Sequence, residues 1–166
     1  MVLATQNPID NEGTYNLPEA QLDRFLFKIV VDYPSLFEDI KILERFQNDF
    51  DMKEAESIEK VVDLKKLVEL RKTIENITIS SQILEYIAGI IQETRRTGDL
   101  FLGASSRAAI WLMKASKAAA ALHGRNFVTP DDVRCVTKPV LNHRIILSPQ
   151  REMEGVPAST ILQQII

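Results

Sequence analysis

The chain has a single cysteine, Cys135, and two histidines, His123 and His143, in 166 residues. One thiol excludes an internal disulfide framework and makes a reducing, cytoplasmic setting the expectation. The scattered Cys and His match no zinc-ligand spacing and no H-E-x-x-H occurs, so no metal-binding residues are expected. There is no G-x-x-x-x-G-K-[ST] loop and no Gly-Lys pair anywhere, which removes the usual phosphate cradle. Long apolar runs are missing too. The longest uncharged stretch, Gly155 to Ile166, falls well short of the ~20 residues that span a bilayer. Met1 to Pro8 lacks the basic start of a secretory signal. Nor is there a surplus of positive charge: twenty Lys+Arg stand against twenty-three Asp+Glu, so polyanion binding is not implied overall.

What remains is an ordinary globular composition, 45% apolar and 26% charged, long enough to bury a core without staples. Charge is uneven along it: residues 1–34 balance to −3, residues 35–100 to −4 and residues 101–166 to +4. Val2-Leu3-Ala4-Thr5 and Phe25 to Val31 read as short strands, separated by a polar stretch with Gly13 and Pro18. After Tyr33-Pro34 the pattern becomes helical. Ser35 with Glu38 is a capping box ahead of a stripe of Leu36, Ile40, Leu43 and Phe46. Asp49 to Glu59 is acidic and reads as a surface connection. Asp63 caps a second helix with Leu64, Leu67, Val68, Leu70 and Ile74 on its apolar side. Asn76 to Ile79 is a brief extended piece, and Ser80 or Ser81 opens a third helix with Ile83, Leu84, Ile87, Ile90 and Ile91 inward. Gly98 and Gly103 bracket a loop before a fourth helix, Ala104 to Leu122, apolar almost all round and so expected at the centre. Thr129-Pro130-Asp131-Asp132 starts a fifth helix that runs towards Asn142.

Three features carry chemistry. Ala4-Thr5-Gln6-Asn7-Pro8 ends an apolar run in a carboxamide, a group that can hold a water against a phosphoryl oxygen; a plain strand-ending turn is the alternative. In Leu22-Asp23-Arg24-Phe25, Arg24 lies between a helical turn and the second run, either paired with Asp23 on the surface or projected to meet a phosphate. In Gly103-Ala104-Ser105-Ser106-Arg107-Ala108, Ser105 is the N-cap and Arg107 falls in the first turn. That is the unfavourable end of the helix dipole for a cation, and a place where amide hydrogens and a guanidinium together suit an anion. Trp111, one turn further on, is expected in the core.

In this order, the three segments resemble the second half of a MoxR-type AAA+ ATPase. The resemblance implies that Asn7 is the sensor 1 residue, Arg24 the arginine finger and Arg107 the sensor 2 residue. Val128 to Val133 and His143-Arg144-Ile145 resemble the closing lid segments, and no role is assigned to the latter. The implied fold is mainly α: a helical AAA+ lid bundle of about five helices over residues 34–166. It is preceded at residues 1–33 by remnant strands of an α/β P-loop core. Missing its phosphate-binding loop and its Mg-binding strand, the chain is expected to start within a truncated protein and to have no ATPase activity alone. In the parent, the resemblance implies ATP and Mg2+, hydrolysis in a ring, expected to be a hexamer, and chaperone-like maturation of protein complexes. The client it implies is a protein with a von Willebrand factor A domain. A stand-alone helical protein-interaction module without nucleotide chemistry is the rival reading. Nucleic-acid binding through the basic last third, with Arg107, Lys114 and Lys117 on one helix face, is disfavoured by the acidic total and the lack of a recognition motif. No membrane partner is expected.

Overall fold

The computed structural model describes residues 2–6, 18–47 and 59–166. Among these the chain is mainly helical. A four-residue turn of helix, α1 (Glu19–Leu22), precedes α2 (Leu36–Phe46) and α3 (Leu64–Glu75). Then come α4 (Ser81–Arg96), β1 (Leu100–Leu102), α5 (Ser106–Leu122), α6 (Pro130–Leu141), β2 (Ile146–Leu147), α7 (Pro149–Met153) and α8 (Ala158–Ile165).

The helices begin where side chains can satisfy otherwise orphaned backbone amides. Ser35 Oγ accepts from Glu38 N at 3.4 Å while the Glu38 carboxylate accepts from Ser35 N at 2.8 Å. Asp63 accepts from Lys66 N at 2.6 Å, and Ser80 from Ile83 N at 3.3 Å. Ser105 accepts from Ala108 N at 3.3 Å, which places Arg107 in the first turn of α5. Thr129 and Asp132 form a second capping box, with Pro130 as first helical residue of α6.

The core lies between α4, α5, α6 and α8. Ile83, Ile87, Ile90 and Ile91 of α4 face Ala108, Leu112, Ala115 and Ala120 of α5, with Val133, Val140 and Leu141 of α6 and Ile161 and Leu162 of α8 closing the other side. Helix α5 is central, touching α3, α4 and α6, because its alanines let three neighbours approach closely. Trp111 is half-buried and packs on the rim of this core, with its indole N–H unpartnered. Leu84 faces outward, 42% exposed, so the apolar side of α4 is one residue narrower than its sequence pattern suggests.

Beyond Trp111 and Leu84, three further readings differ from the structure. Residues 2–6 and 25–33 are irregular or extended, with no ladder partner among the described residues; strand-like sequence makes a strand only beside another strand. The Gly98–Gly103 loop contains β1, which pairs antiparallel with β2 through Leu100 opposite Leu147 and Leu102 opposite Ile146. Two short C-terminal helices, α7 and α8, follow the five read from the sequence, and α8 completes the core through Ile161 and Leu162. The acidic stretch at 49–58 lies outside the described residues. No helix among those described is long and apolar enough to cross a membrane.

Candidate functional site

The segment Leu22–Leu26 leaves α1 and lies against the start of α5 and the end of α6. Its backbone stays locally wound: Arg24 N donates to Gln21 O at 3.1 Å and Phe25 N to Leu22 O at 3.1 Å. Leu26 packs against the core, and Lys28 N donates to Pro139 O at 3.2 Å, which fixes the exit of the segment on α6.

Arg24 is exposed and makes no ion pair among the described residues. Its neighbour Asp23 points the other way, onto the helical bundle. One Asp23 oxygen accepts from Arg144 Nε at 3.0 Å; the other lies 3.4 Å from Arg107 Nη1, and the Ser105 hydroxyl donates to the pair at 3.2 and 3.3 Å. The surface pairing of Asp23 with Arg24, one of the two readings open from sequence, is therefore not formed.

Arg107 stands in the first turn of α5 with its side chain 51% exposed, held only at one nitrogen. The loop that delivers this helix is tied to the end of α4. Ala104 N donates to the buried Thr94 hydroxyl at 3.0 Å, and Arg95 Nε donates to Ala104 O at 2.8 Å. Gly103 passes so close to the end of α4 that a Cβ there would sit 2.5 Å from Thr94 O. The glycine is required for that approach.

Arg144 was given no role from the sequence, yet it is the best-satisfied cation of the site. Its side chain is 1% exposed. Burial pushes its guanidinium pKa down, and the Asp23 carboxylate opposes that shift. Next to it His143 is half-buried, with Nε2 3.1 Å from Phe25 O; burial holds its pKa below the usual imidazole value and favours the neutral ring. The available signal was Arg144's place just before the apolar run Ile145 to Leu147 and shortly after Val140-Leu141, since a charge buried there must find partners.

A second charged cluster closes the start of α6. Asp132, 1% exposed, takes a two-pronged contact from Arg125 at 2.6 Å on each oxygen, plus the Thr129 amide and hydroxyl at 2.8 Å. The Arg125 guanidinium holds the Asp132 carboxyl far below the ordinary range despite its burial. Every partner of Asp132 belongs to the fold, so this is a structural pair.

Of the residues proposed from sequence, Arg24 and Arg107 are both placed, and the structure connects them through Asp23. Asn7 lies outside the described residues. No cluster of metal-ligating side chains occurs among the described residues.

Comparison with known proteins bears on this arrangement. Residues 92–165 match the model of the AAA lid domain, and residues 1–27 match that of an ATPase family associated with various cellular activities. The chain is 41% identical over 165 residues to the uncharacterized protein YeaC of Bacillus subtilis, covering 99% of this chain and 51% of that one. It is 34% identical to chaperone MoxR1 of Mycobacterium tuberculosis, over 100% of this chain and 45% of the relative. With protein MoxR of Paracoccus denitrificans it shares 34% identity over 91% and 49% of the two chains. A crystal structure from Cytophaga hutchinsonii, described as a proposed ATPase, superposes with a TM-score of 0.84 at 35% identity, over 96% of this chain and 50% of that one. The chain thus spans about half the length of the relatives it matches. The lid match covers β1 to α8 and the ATPase match covers α1 and the Asp23–Arg24 pair. On these grounds the chain carries an AAA lid domain and is similar, along nearly all of its length, to one half of the MoxR-type AAA+ ATPases.

Proposed function

We propose that this chain supplies the lid and the inter-subunit arginine of a ring-forming ATPase that hydrolyses ATP with Mg2+. The observation that carries this reading is Arg24. A guanidinium left in solvent, on a backbone pinned to the lid, with its adjacent carboxylate turned away, is available to an anion outside its own fold. Arg24 is proposed to reach the γ-phosphate bound to a neighbouring subunit. Arg107, half-exposed and weakly tied to Asp23, is proposed to exchange that contact for a phosphate and so report nucleotide to the lid. Asn7 is proposed to orient the attacking water. ATP supplies the transferable phosphoryl group, and the lysine loop and Mg2+-binding acids must come from residues other than these, because this sequence has no such loop. Chaperone-like maturation of protein complexes fits the naming of the relative chaperone MoxR1. A client with a von Willebrand factor A domain and a hexameric ring remain parts of the proposal.

The test is Arg24→Ala in the assembled ATPase. Nucleotide affinity is expected to stay within a few-fold while turnover falls by roughly 10³-fold or more. Mixing Arg24→Ala subunits with subunits defective in the phosphate loop is expected to restore part of the activity, since each supplies what the other lacks. Unchanged turnover in Arg24→Ala would remove the finger assignment.

The rival reading, an interaction module without nucleotide chemistry, is favoured by one observation: among the described residues the stripe on α2 is open to solvent, with Leu36 78%, Ile40 45% and Leu43 71% exposed. Light scattering of the purified chain separates the two. A module of that kind is expected to self-associate or bind protein with no response to ATP.

A further inference from the structure

Arg144 is placed to do something its position in the lid would not suggest. Its Nε donates to the Asp23 carboxylate at 3.0 Å. One terminal nitrogen donates to Asp23 O at 3.0 Å and to Phe25 O, and the other donates to Leu26 O at 3.2 Å and to Val140 O. A guanidinium has five N–H groups, and here each has an acceptor. Two of those acceptors are the carbonyls of the residues immediately before and after Arg24. A third, Val140 O, belongs to α6, so the same group ties the segment to the helical bundle.

We propose that Arg144 is a positioning residue for Arg24: it ties the carbonyls of Asp23 and Phe25, the residues flanking Arg24, to the end of α6, so that the exposed guanidinium leaves the lid in one fixed direction. The proposal rests on the reading of Arg24 as the inter-subunit arginine. The physical reason is entropic. A long side chain reaching for a phosphate on another molecule gains most when its backbone is already ordered. Asp23 extends the device, because its second oxygen touches Arg107 and the Ser105 cap of α5. A lid movement that displaces α5 or α6 must therefore carry the Arg24 backbone with it. Lysine cannot replace Arg144, since an ammonium has three donors and no planar fork to span the carbonyls of Asp23, Phe25 and Leu26.

Two measurements test this. In the chain itself, hydrogen exchange is read on peptides covering residues 22–28 and on α4 and α5 in Arg144→Lys. Protection at 22–28 is expected to fall at least ~10-fold while α4 and α5 keep theirs. Unchanged protection at 22–28 overturns the proposal. Should Arg144→Lys lose protection throughout, Asp23→Asn, which weakens only the carboxylate contacts, is expected to loosen 22–28 selectively by a smaller factor; no selective change overturns the proposal. In the assembled ATPase, Arg144→Lys is expected to lower kcat ~10-fold or more at unchanged KM. The double variant Arg24→Ala/Arg144→Lys is expected to be no slower than Arg24→Ala. Multiplicative losses would show Arg144 acting independently of Arg24 and overturn the proposal. If Arg24→Ala alone leaves kcat intact, the finger reading fails, and the exchange experiment still decides whether Arg144 holds the segment.

Discussion

Helices α2 and α6 start with the same device and end in opposite circumstances. Each opens with a capping box, Ser35–Glu38 in one and Thr129–Asp132 in the other, and each carries an apolar stripe. Yet α6 buries Val133, Val140 and Leu141 completely, whereas no residue of α2 is buried among the described residues. Helix α3 lies between the two cases, touching α5 while Leu64 stays 77% exposed. Capping and periodicity are local properties that ordered both helices, but the free energy of burying a stripe exists only where a complementary surface meets it. The packed half holds the bundle together. The bare half offers its apolar surface outward.

The difference is open to direct measurement, beginning with the core. Leu112, fully buried on α5, is expected to cost on the order of 3–5 kcal/mol on truncation to alanine, read by chemical denaturation. A loss below about 1 kcal/mol would mean that α5 is not the centre of the fold. Next comes the buried pair at the start of α6. Asp132→Asn is expected to cost about 2–3 kcal/mol at neutral pH, because it breaks a desolvated contact and a cap together. The pH dependence has a definite sign. A carboxyl whose folded pKa is depressed contributes fully above its unfolded value of about 3.9, and that contribution is lost as pH falls below it. Wild type and Asp132→Asn should therefore converge in stability as pH is lowered below about 4, and a gap independent of pH would show that the charge is not what matters.

A smaller effect is expected at the loop that sets Arg107. Gly103→Ala must push Thr94 O away from a new Cβ, at a cost of about 1–3 kcal/mol seen as a lowered Tm. The smallest belongs to α2. Ile40→Ala, at a residue 45% exposed, is expected to stay within about 0.5 kcal/mol of wild type in the isolated chain. A core-sized loss there would mean that α2 packs in solution and that the two halves are alike after all.

The helical elements were legible because their signals are short-range. Asp63, Ser80, Ser105 and Thr129 each cap a helix as their positions ahead of an apolar stripe predict. Arg107 in a first turn, and Arg24 beyond a short helix, were legible for the same reason. The β1–β2 pair was not, since Leu100 and Leu147 are joined across most of the lid by pairing that leaves no local trace. Nor was Arg144. A sequence shows an arginine after a histidine; it does not show four carbonyl and carboxylate oxygens of residues 23–26 converging on it from far along the chain, beside the nearby Val140 carbonyl.

By itself, then, the sequence determined where helices begin, which faces are apolar and which arginines stand apart from the core, because capping and periodicity act within a few residues. Tertiary structure alone decided which apolar faces are buried, that Asp23 turns from Arg24 to Arg107 and Arg144, and that Gly103 must be a glycine. Burial, charge pairing and close approach each depend on a second surface brought in from far along the chain.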